Sequence, residues 1–301
     1  MLTSSFVPPE PIRRLRTHTR YRRHLTRART AEKQRVEKLL EDAQIKLSSV
    51  ASNIFGVSGR QMLAAMLAGQ HDPRVLARMA HGRMRQKIPR LEEALTGHFT
   101  SHHAFLCQMM LDRIDELSAR IDQVTARIEE QIAPFAAAVE QLDEITGVGV
   151  TSAQELIAEI GVDMSRFPSA GHLVSWAKFA PIDRSSAGKK KGGSTGKGNP
   201  WLAATLGEIV TATARTPTFL GERYHRIARR RGKRRAIVAV GNSVLTIVWN
   251  LLSEPDARYQ DLGADFYQSR LHKQRRERDL IRKLETLTGK TVILEPSQPA
   301  A

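Results

Sequence analysis

A short segment rich in serine, glycine and lysine carries the strongest chemical signal in this chain. It begins at Arg184, ends at Asn199, and contains five glycines and two adjacent hydroxyls, those of Ser185 and Ser186. Glycines let the backbone approach a phosphate, lysines neutralise it, and a serine hydroxyl can attack phosphorus. The lysines of this segment are Lys189, Lys190, Lys191 and Lys197. The segment therefore predicts either a phosphodiester-cleaving serine or a basic loop that only contacts nucleic acid.

Two denser basic segments predict contacts with a polyanion. Residues 13–29 hold eight arginines and no acid, and Arg20, Arg22 and Arg23 are the candidates there for binding an RNA scaffold. The acids within residues 104–163 are the competing intrachain partner of these arginines. The second run consists of Arg229, Arg230, Arg231, Lys233, Arg234 and Arg235. Charge at this density favours binding to the phosphate backbone and does not indicate base recognition.

A glycine turn between two apolar segments offers a third phosphate-binding candidate. Gly147 and Gly149 flank a valine, and Thr151 follows at the expected start of a helix. Backbone amides of such a turn, together with a helix N-terminus, attract a phosphate. The sequence therefore predicts a helix-hairpin-helix-like motif, with an ordinary helix–helix turn as the alternative.

The elements around these segments are predicted to be helices. A basic helix is expected over 12–43, and apolar residues spaced three and four apart indicate a second long helix that ends before Pro134. This stripe consists of Ile114, Leu117, Ile121, Val124, Ile128 and Ile132. It predicts a coiled coil, formed either within the chain as a long antiparallel hairpin or between two copies.

Further helices are predicted over 200–214, 219–231 and 236–252. Asn199 is the expected N-cap of the first, with Pro200 at its first helical position. The apolar segment 236–252 carries four Asn, Ser or Thr residues and is shorter than a membrane span of about 20 residues, which favours a buried core helix. No region alternates strongly enough to predict a large sheet, so the fold class is mainly α.

Composition narrows the function classes. The chain has 301 residues and a formal net charge of +16, with a pI near 10.5. This balance favours nucleic acid as the partner and leaves a purely structural oligomerisation module as the weakest alternative. The single cysteine excludes a disulfide framework and suits a reducing cytoplasm.

Several motifs occur together in an order typical of one family. They are Ile145-Thr146-Gly147-Val148-Gly149, Phe167-Pro168-Ser169-Ala170, Leu173-Val174-Ser175-Trp176-Ala177, Pro181, Ser186-Ala187-Gly188-Lys189, Gly198-Asn199 and Leu262-Gly263-Ala264-Asp265-Phe266-Tyr267. The chain resembles the insertion-sequence transposases of the IS-one-ten family, which are DEDD/serine recombinases guided by a structured bridge RNA. The resemblance implies DNA transposition and recombination, with Ser186 as nucleophile, Ser185 in reserve, and Mg²⁺ in a complete family member. It also implies a bacterial, nucleoid-associated cytoplasmic protein.

The resemblance further implies an N-terminal RuvC-like domain with four metal-binding acids. No acid of this chain matches those motifs, so we assign no metal ligand and expect a chain that lacks most of that domain and is catalytically incomplete alone. The expected organisation is a connector over 1–12, a basic helical region over 13–103, a coiled coil over 104–138, a compact helical transposase domain over 139–268, and a charged, partly disordered tail over 269–301. The alternative function is that of a non-catalytic nucleic-acid-binding remnant, or a repressor of intact transposase copies.

Overall fold

Helices dominate the computed structural model, which describes residues 8–181, 184–186, 189–191, 195–269 and 273–292. This composition confirms the mainly α prediction. The chain divides into two compact units, an N-terminal unit that ends at Pro134 and a C-terminal unit that begins at Phe135. The boundary lies just after the last residue of the predicted apolar stripe.

Two long helices and a group of short ones form the N-terminal unit. They are α1 (Glu10–Asp42), α2 (Leu47–Val50), α3 (Val57–Leu67), α4 (Pro73–Ala77), α5 (Ile88–Ala94) and α6 (Ser101–Ile132), with a 3₁₀ turn at Gly82–Lys87. Helix α1 begins two residues before the predicted Ile12, because proline is tolerated in a first helical turn and Pro11 lies there. The short helices α2–α5 enclose an apolar core with one end of each long helix.

Helix α1 packs along α6 in antiparallel orientation. The His18 ring lies 3.0 Å from the Gln131 side-chain oxygen, and Arg29 donates a hydrogen bond of 3.2 Å to Ser118 near the other end of the pair. Between these contacts, Leu25 packs against Leu117 and Ile121. The predicted stripe of α6 is therefore covered by α1 within the N-terminal unit.

The C-terminal unit contains the remaining elements. They are α7 (Ala136–Asp143), α8 (Val150–Ile160), α9 (Ala170–Trp176), β1 (Arg184–Ser186), β2 (Lys189–Lys191), α10 (Pro200–Thr213), α11 (Phe219–Arg231), α12 (Lys233–Ser253), α13 (Phe266–Ser269) and α14 (Lys273–Thr288). The predicted start of α10 is confirmed, since the Asn199 side chain accepts hydrogen bonds from the amides of Trp201 and Leu202. The predicted bounds of α11 are confirmed as well.

Helix α12 lies at the centre of this unit and packs against α7, α9, α10 and α11. Its Val240, Val244 and Leu245 are completely buried. Among the described residues, α12 is the one helix whose length and composition would allow it to cross a membrane. Its contacts with four neighbouring helices support the predicted core helix. It begins at Lys233 because Gly232, with φ of +84°, lets the chain reverse directly after α11.

Candidate nucleic-acid interface

The predicted nucleophile lies in a small antiparallel ladder. Strand β1 pairs with β2 so that Ser186 stands opposite Lys189, and Ser185 stands opposite Lys190. The sequence indicated a loop here, because a three-residue strand is too short for an alternating pattern to emerge. The backbone therefore brings both candidate serines next to three of the predicted phosphate-binding lysines. Residues 187–188 and 192–194, within the same segment, lie outside the described residues.

The segment that leads into β1 is fixed by α12. The backbone carbonyl of Phe179 accepts a hydrogen bond of 3.2 Å from the Asn242 side chain. Gly241 lies so close to the Phe179 ring that a Cβ there would come within 2.6 Å of a ring carbon. A small residue at position 241 is thus required for the ring to pack. Phe179 is buried, so this end of the ladder segment has one defined position.

The segment that returns from β2 is fixed beside it. A Cβ added to Gly198 would lie 2.6 Å from the carbonyl oxygen of Ala177, so the backbones of the two segments are in close contact. Asn199, the next residue, donates a hydrogen bond of 2.5 Å to the Glu159 carboxylate while its oxygen caps α10. The two ends of the serine-lysine segment therefore meet, and helices α8, α10 and α12 support them. Lys197 is exposed beside this junction.

Two acids on α8, which sequence reasoning missed, face this junction. Glu159 is only 3% exposed, and Glu155, one helical turn earlier, accepts a hydrogen bond of 2.6 Å from the Thr205 hydroxyl. A buried carboxylate requires compensating donors, and the Asn199 side chain supplies one of them to Glu159. The available signal was Glu159 itself, an acid within the apolar run that ends α8.

The glycine turn precedes α8, and its two glycines have different surroundings. Gly147 has φ of +88°, and a Cβ there would lie 2.2 Å from the Thr213 hydroxyl of α10. That hydroxyl donates to the carbonyl of Thr146 at 2.9 Å, which joins the turn to α10. Gly149 and Thr151 are exposed, and a Cβ on Gly149 would contact nothing. Gly147 is thus needed for packing, whereas the N-terminus of α8 is open to solvent.

The second basic run lies at the reversal between α11 and α12. All six cations are exposed: Arg229, Arg230, Arg231, Lys233, Arg234 and Arg235. No ion pair within the described part of the chain involves any of them. We call this group the basic tip. Its charge is concentrated around one turn of backbone, where a polyanion can approach it from solvent.

The predicted arginines of α1 have unequal exposure. Arg22 and Arg23 are buried, at 6% and 8% exposure, whereas Arg20 is half-buried. Two of the acids predicted to compete for them have partners of their own among the described ion pairs. Asp115 pairs with Arg60, and Glu116 pairs with Arg113 and Arg120 of its own helix. The burial of these arginines was not evident from the sequence. Their charge predicts exposure, whereas the apolar part of an arginine side chain can pack against its neighbours.

A divalent metal requires converging carboxylate or imidazole ligands. No group of three or more His, Cys, Asp or Glu side chains able to hold a metal ion occurs in the described ranges. Glu159 and Glu155 of α8 accept hydrogen bonds from the neutral side chains of Asn199 and Thr205. The described residues therefore do not fit an Mg²⁺ site, and we derive no chemical step through one.

One comparison with known proteins identifies a similar family. Residues 139–226 match the sequence model of the transposase IS116/IS110/IS902 family. The matched segment runs from α7 through the glycine turn, the ladder with Ser186, and most of α11. No curated protein sequence matches the chain. The match supports a transposase of an insertion sequence, a class of protein that acts on DNA.

Proposed function

We propose that this chain is an insertion-sequence transposase whose C-terminal unit binds DNA and forms a serine–DNA link through Ser186. The observation that carries the proposal is the family match over 139–226, because it contains the serine-lysine ladder together with Glu159 and Asn199, which support one of its ends. The basic tip adds an exposed surface for the DNA backbone, since its cations form no ion pair within the part of the chain that the structure describes.

The proposed chemistry is a phosphoryl transfer. The Ser186 hydroxyl oxygen attacks a backbone phosphorus, the bond from phosphorus to the 3′ oxygen breaks, and the serine proton ends on that oxygen. The products are a phosphoserine diester to the 5′ oxygen of the downstream fragment and a free 3′-OH on the upstream fragment. The fixed ends of the ladder segment support this role, because a nucleophile must be held near its target for efficient attack.

The proposal includes partners beyond DNA. A structured guide RNA is an expected ligand, with Arg20, Arg22, Arg23 and the basic tip as candidate contacts. A second copy of the chain is expected as well, since strand exchange joins two DNA sites. Because α1 covers the stripe of α6, a second copy would contact other surfaces of the helix pair. A complete reaction is expected to need Mg²⁺ and metal-binding acids from outside the described residues. The expected location of the protein is the cytoplasm of a bacterium.

A denaturing-gel assay tests the serine link. Full-length chain is incubated with end-labelled DNA tiled across the locus that encodes it, with and without MgCl₂ and cellular RNA. A labelled protein band formed by the wild type should also form in Ser185→Ala and should be lost in Ser186→Ala, with DNA binding unchanged. A band lost only in Ser185→Ala would identify Ser185, the reserve candidate, as the nucleophile. Tight binding without any band would instead favour the non-catalytic, repressor-like function.

A further inference from the structure

The segment that follows α12, residues 254–267, returns across the C-terminal unit to α11, and we call it the strap. Its first half is anchored at the end of α7. The Gln141 side chain donates to the carbonyls of Pro255 and Ala257 at 2.8 and 3.2 Å. The Glu144 carboxylate accepts from the Tyr259 amide at 2.9 Å and from Arg258 at 2.6 Å. These hydrogen bonds lower the pKa of Glu144 and fix the path of the strap.

The second half of the strap is fixed to the start of α11. Asp261 accepts hydrogen bonds from the backbone amides of Phe219, at 3.2 Å, and Gly263, at 2.7 Å. The Tyr259 hydroxyl donates to the other Asp261 oxygen at 3.0 Å. Burial, together with this carboxylate, raises the pKa of Tyr259 to about 12. Tyr267 then stacks on the Phe219 ring, with centroids 5.2 Å apart. The strap therefore delivers one tyrosine to a defined place on α11.

Tyr267 contacts two arginines of α11. The guanidinium carbon of Arg226 lies 3.8 Å from the centre of the Tyr267 ring, and Arg223 donates a hydrogen bond of 2.9 Å to the Tyr267 hydroxyl. Arg226 is exposed and Arg223 is half-buried. No carboxylate within the described ranges forms an ion pair with either arginine. Both side chains are thus held in place by Tyr267, and no carboxylate of the described residues neutralises their charge.

A guanidinium stacked on an aromatic ring keeps its in-plane N–H groups directed outward. In this geometry it can donate two parallel hydrogen bonds to one phosphate. Arg223, Arg226 and Arg230 follow at steps of three and four residues and so lie on one face of α11, over roughly 10 Å of helix. This row leads from Tyr267 into the basic tip. We propose that Arg223 and Arg226, positioned by Tyr267, form a phosphate-binding site that holds a nucleic-acid backbone.

The site rests on the proposed function in one respect, namely that the C-terminal unit binds nucleic acid. Within that function, it assigns Tyr267 as a positioning residue and the arginine pair as direct contacts. Pre-ordering matters because an arginine that is already fixed loses less conformational entropy when it binds. Removing the ring should therefore weaken binding even though the net charge is unchanged.

Affinity measurements on the full chain test the site, with a duplex DNA and an RNA hairpin of equal length as ligands. We expect Arg226→Gln to lower the slope of log K against log salt by about 1. Tyr267→Ala should weaken binding roughly five- to ten-fold relative to the wild type. Added to the Arg226→Gln variant, the same substitution should weaken binding at most about two-fold further. Tyr267→Phe keeps the stacked ring and should lose less affinity than Tyr267→Ala.

Phe105→Ala is the matched control, because it removes an aromatic ring that is 65% exposed on α6 and lies outside the strap and α11. It should leave the affinity and the salt slope unchanged. Coupling between Tyr267→Ala and Arg226→Gln on either ligand supports the site and identifies which nucleic acid it holds. Additive effects of the two substitutions, or an unchanged salt slope in Arg226→Gln on both ligands, would overturn the site. The Ser186-dependent adduct is a separate readout, so its absence would contradict the serine link alone.

Discussion

Gly147 and Gly149 stand two residues apart in the turn before α8, and the structure separates their roles. Gly147 combines φ of +88° with contact against Thr213, whereas a Cβ on Gly149 would meet no atom within 4 Å. A methyl group at position 147 must therefore strain the backbone and displace α10. A methyl group at position 149 causes neither effect. We expect Gly147→Ala to lower the free energy of unfolding by about 2–3 kcal/mol. Gly149→Ala should stay within about 0.5 kcal/mol of the wild type. Urea denaturation followed by circular dichroism measures both variants, and equal losses would contradict this assignment.

Asn199 joins two functions in one side chain, since its oxygen caps α10 and its amide donates to the buried Glu159. Asn199→Asp keeps the capping oxygen but places a second carboxylate against Glu159. Two adjacent carboxylates favour sharing one proton, so the folded state binds more protons than the unfolded chain. Stability of this variant should therefore rise as pH falls from about 7 to about 5, by the sign of proton linkage.

Asn199→Ala is the control for that pH dependence. It removes the cap, at about 1 kcal/mol, and the amide donor to Glu159, but it introduces no second carboxylate, so its stability should depend on pH less steeply than that of Asn199→Asp. Thermal melting at a series of pH values distinguishes the two variants. A flat difference between Asn199→Asp and Asn199→Ala would mean that the residue 199 side chain does not contact Glu159.

Single-residue chemistry was only partly predictable from the sequence. Asn199 was recognised as an N-cap because the signal is local: a capping side chain followed directly by Pro200. The burial of Glu159 was not predicted, because it depends on Asn199, which is 40 residues away and meets it only in the folded unit. Arg22 and Arg23 were predicted to bind nucleic acid from their charge, and their burial depends on contacts that form only in the folded chain. That assignment stays a prediction.

At the scale of elements, periodicity predicted which helices form but not what covers them. The apolar stripe of α6 was evident from its three- and four-residue spacing. The sequence did not decide whether the stripe packs within the chain, as an antiparallel hairpin, or against a second copy. Helix α1 was difficult to choose, because its apolar residues are sparse among arginines. The strands β1 and β2 were missed, since a three-residue pairing is determined by the fixed ends of the segment rather than by an alternating pattern.

The packing of α1 on α6 predicts a clear difference between neighbouring positions. Ile128 is completely buried, and Glu129, next to it, is exposed. Ile128→Ala should lower the free energy of unfolding by about 2–4 kcal/mol, through lost burial and the cavity that remains. Glu129→Ala should change it by no more than about 0.5 kcal/mol. Chemical denaturation measures both, and an Ile128→Ala variant as stable as Glu129→Ala would show that α1 does not cover this part of the stripe.

At the scale of the whole molecule, the position of charge distinguishes a binding surface from a merely basic protein. The net charge of +16 would promote non-specific attraction to any polyanion. Many cations of the described chain are already paired, such as Arg113 with Glu116, Arg127 with Glu130 and Arg166 with Asp163. The basic tip differs because its cations are exposed and form no ion pair within the described ranges. Its contribution to nucleic-acid binding should therefore exceed its share of the total charge.

Two triple variants with the same net charge test this difference. Replacing Arg230, Arg231 and Arg234 by glutamine should lower the slope of log K against log salt for duplex DNA by roughly 2–3, since each lost phosphate contact removes about 0.9. Replacing Arg113, Arg127 and Arg166 by glutamine removes cations that carboxylates already neutralise, and the slope should fall by less than about 1. Equal slopes in the two triple variants would mean that the total charge, rather than the basic tip, determines DNA binding. If the variant at Arg113, Arg127 and Arg166 alone keeps a steep dependence of log K on log salt, the DNA backbone contacts the chain reversal between α11 and α12. That reversal lies beside the arginine row positioned by Tyr267.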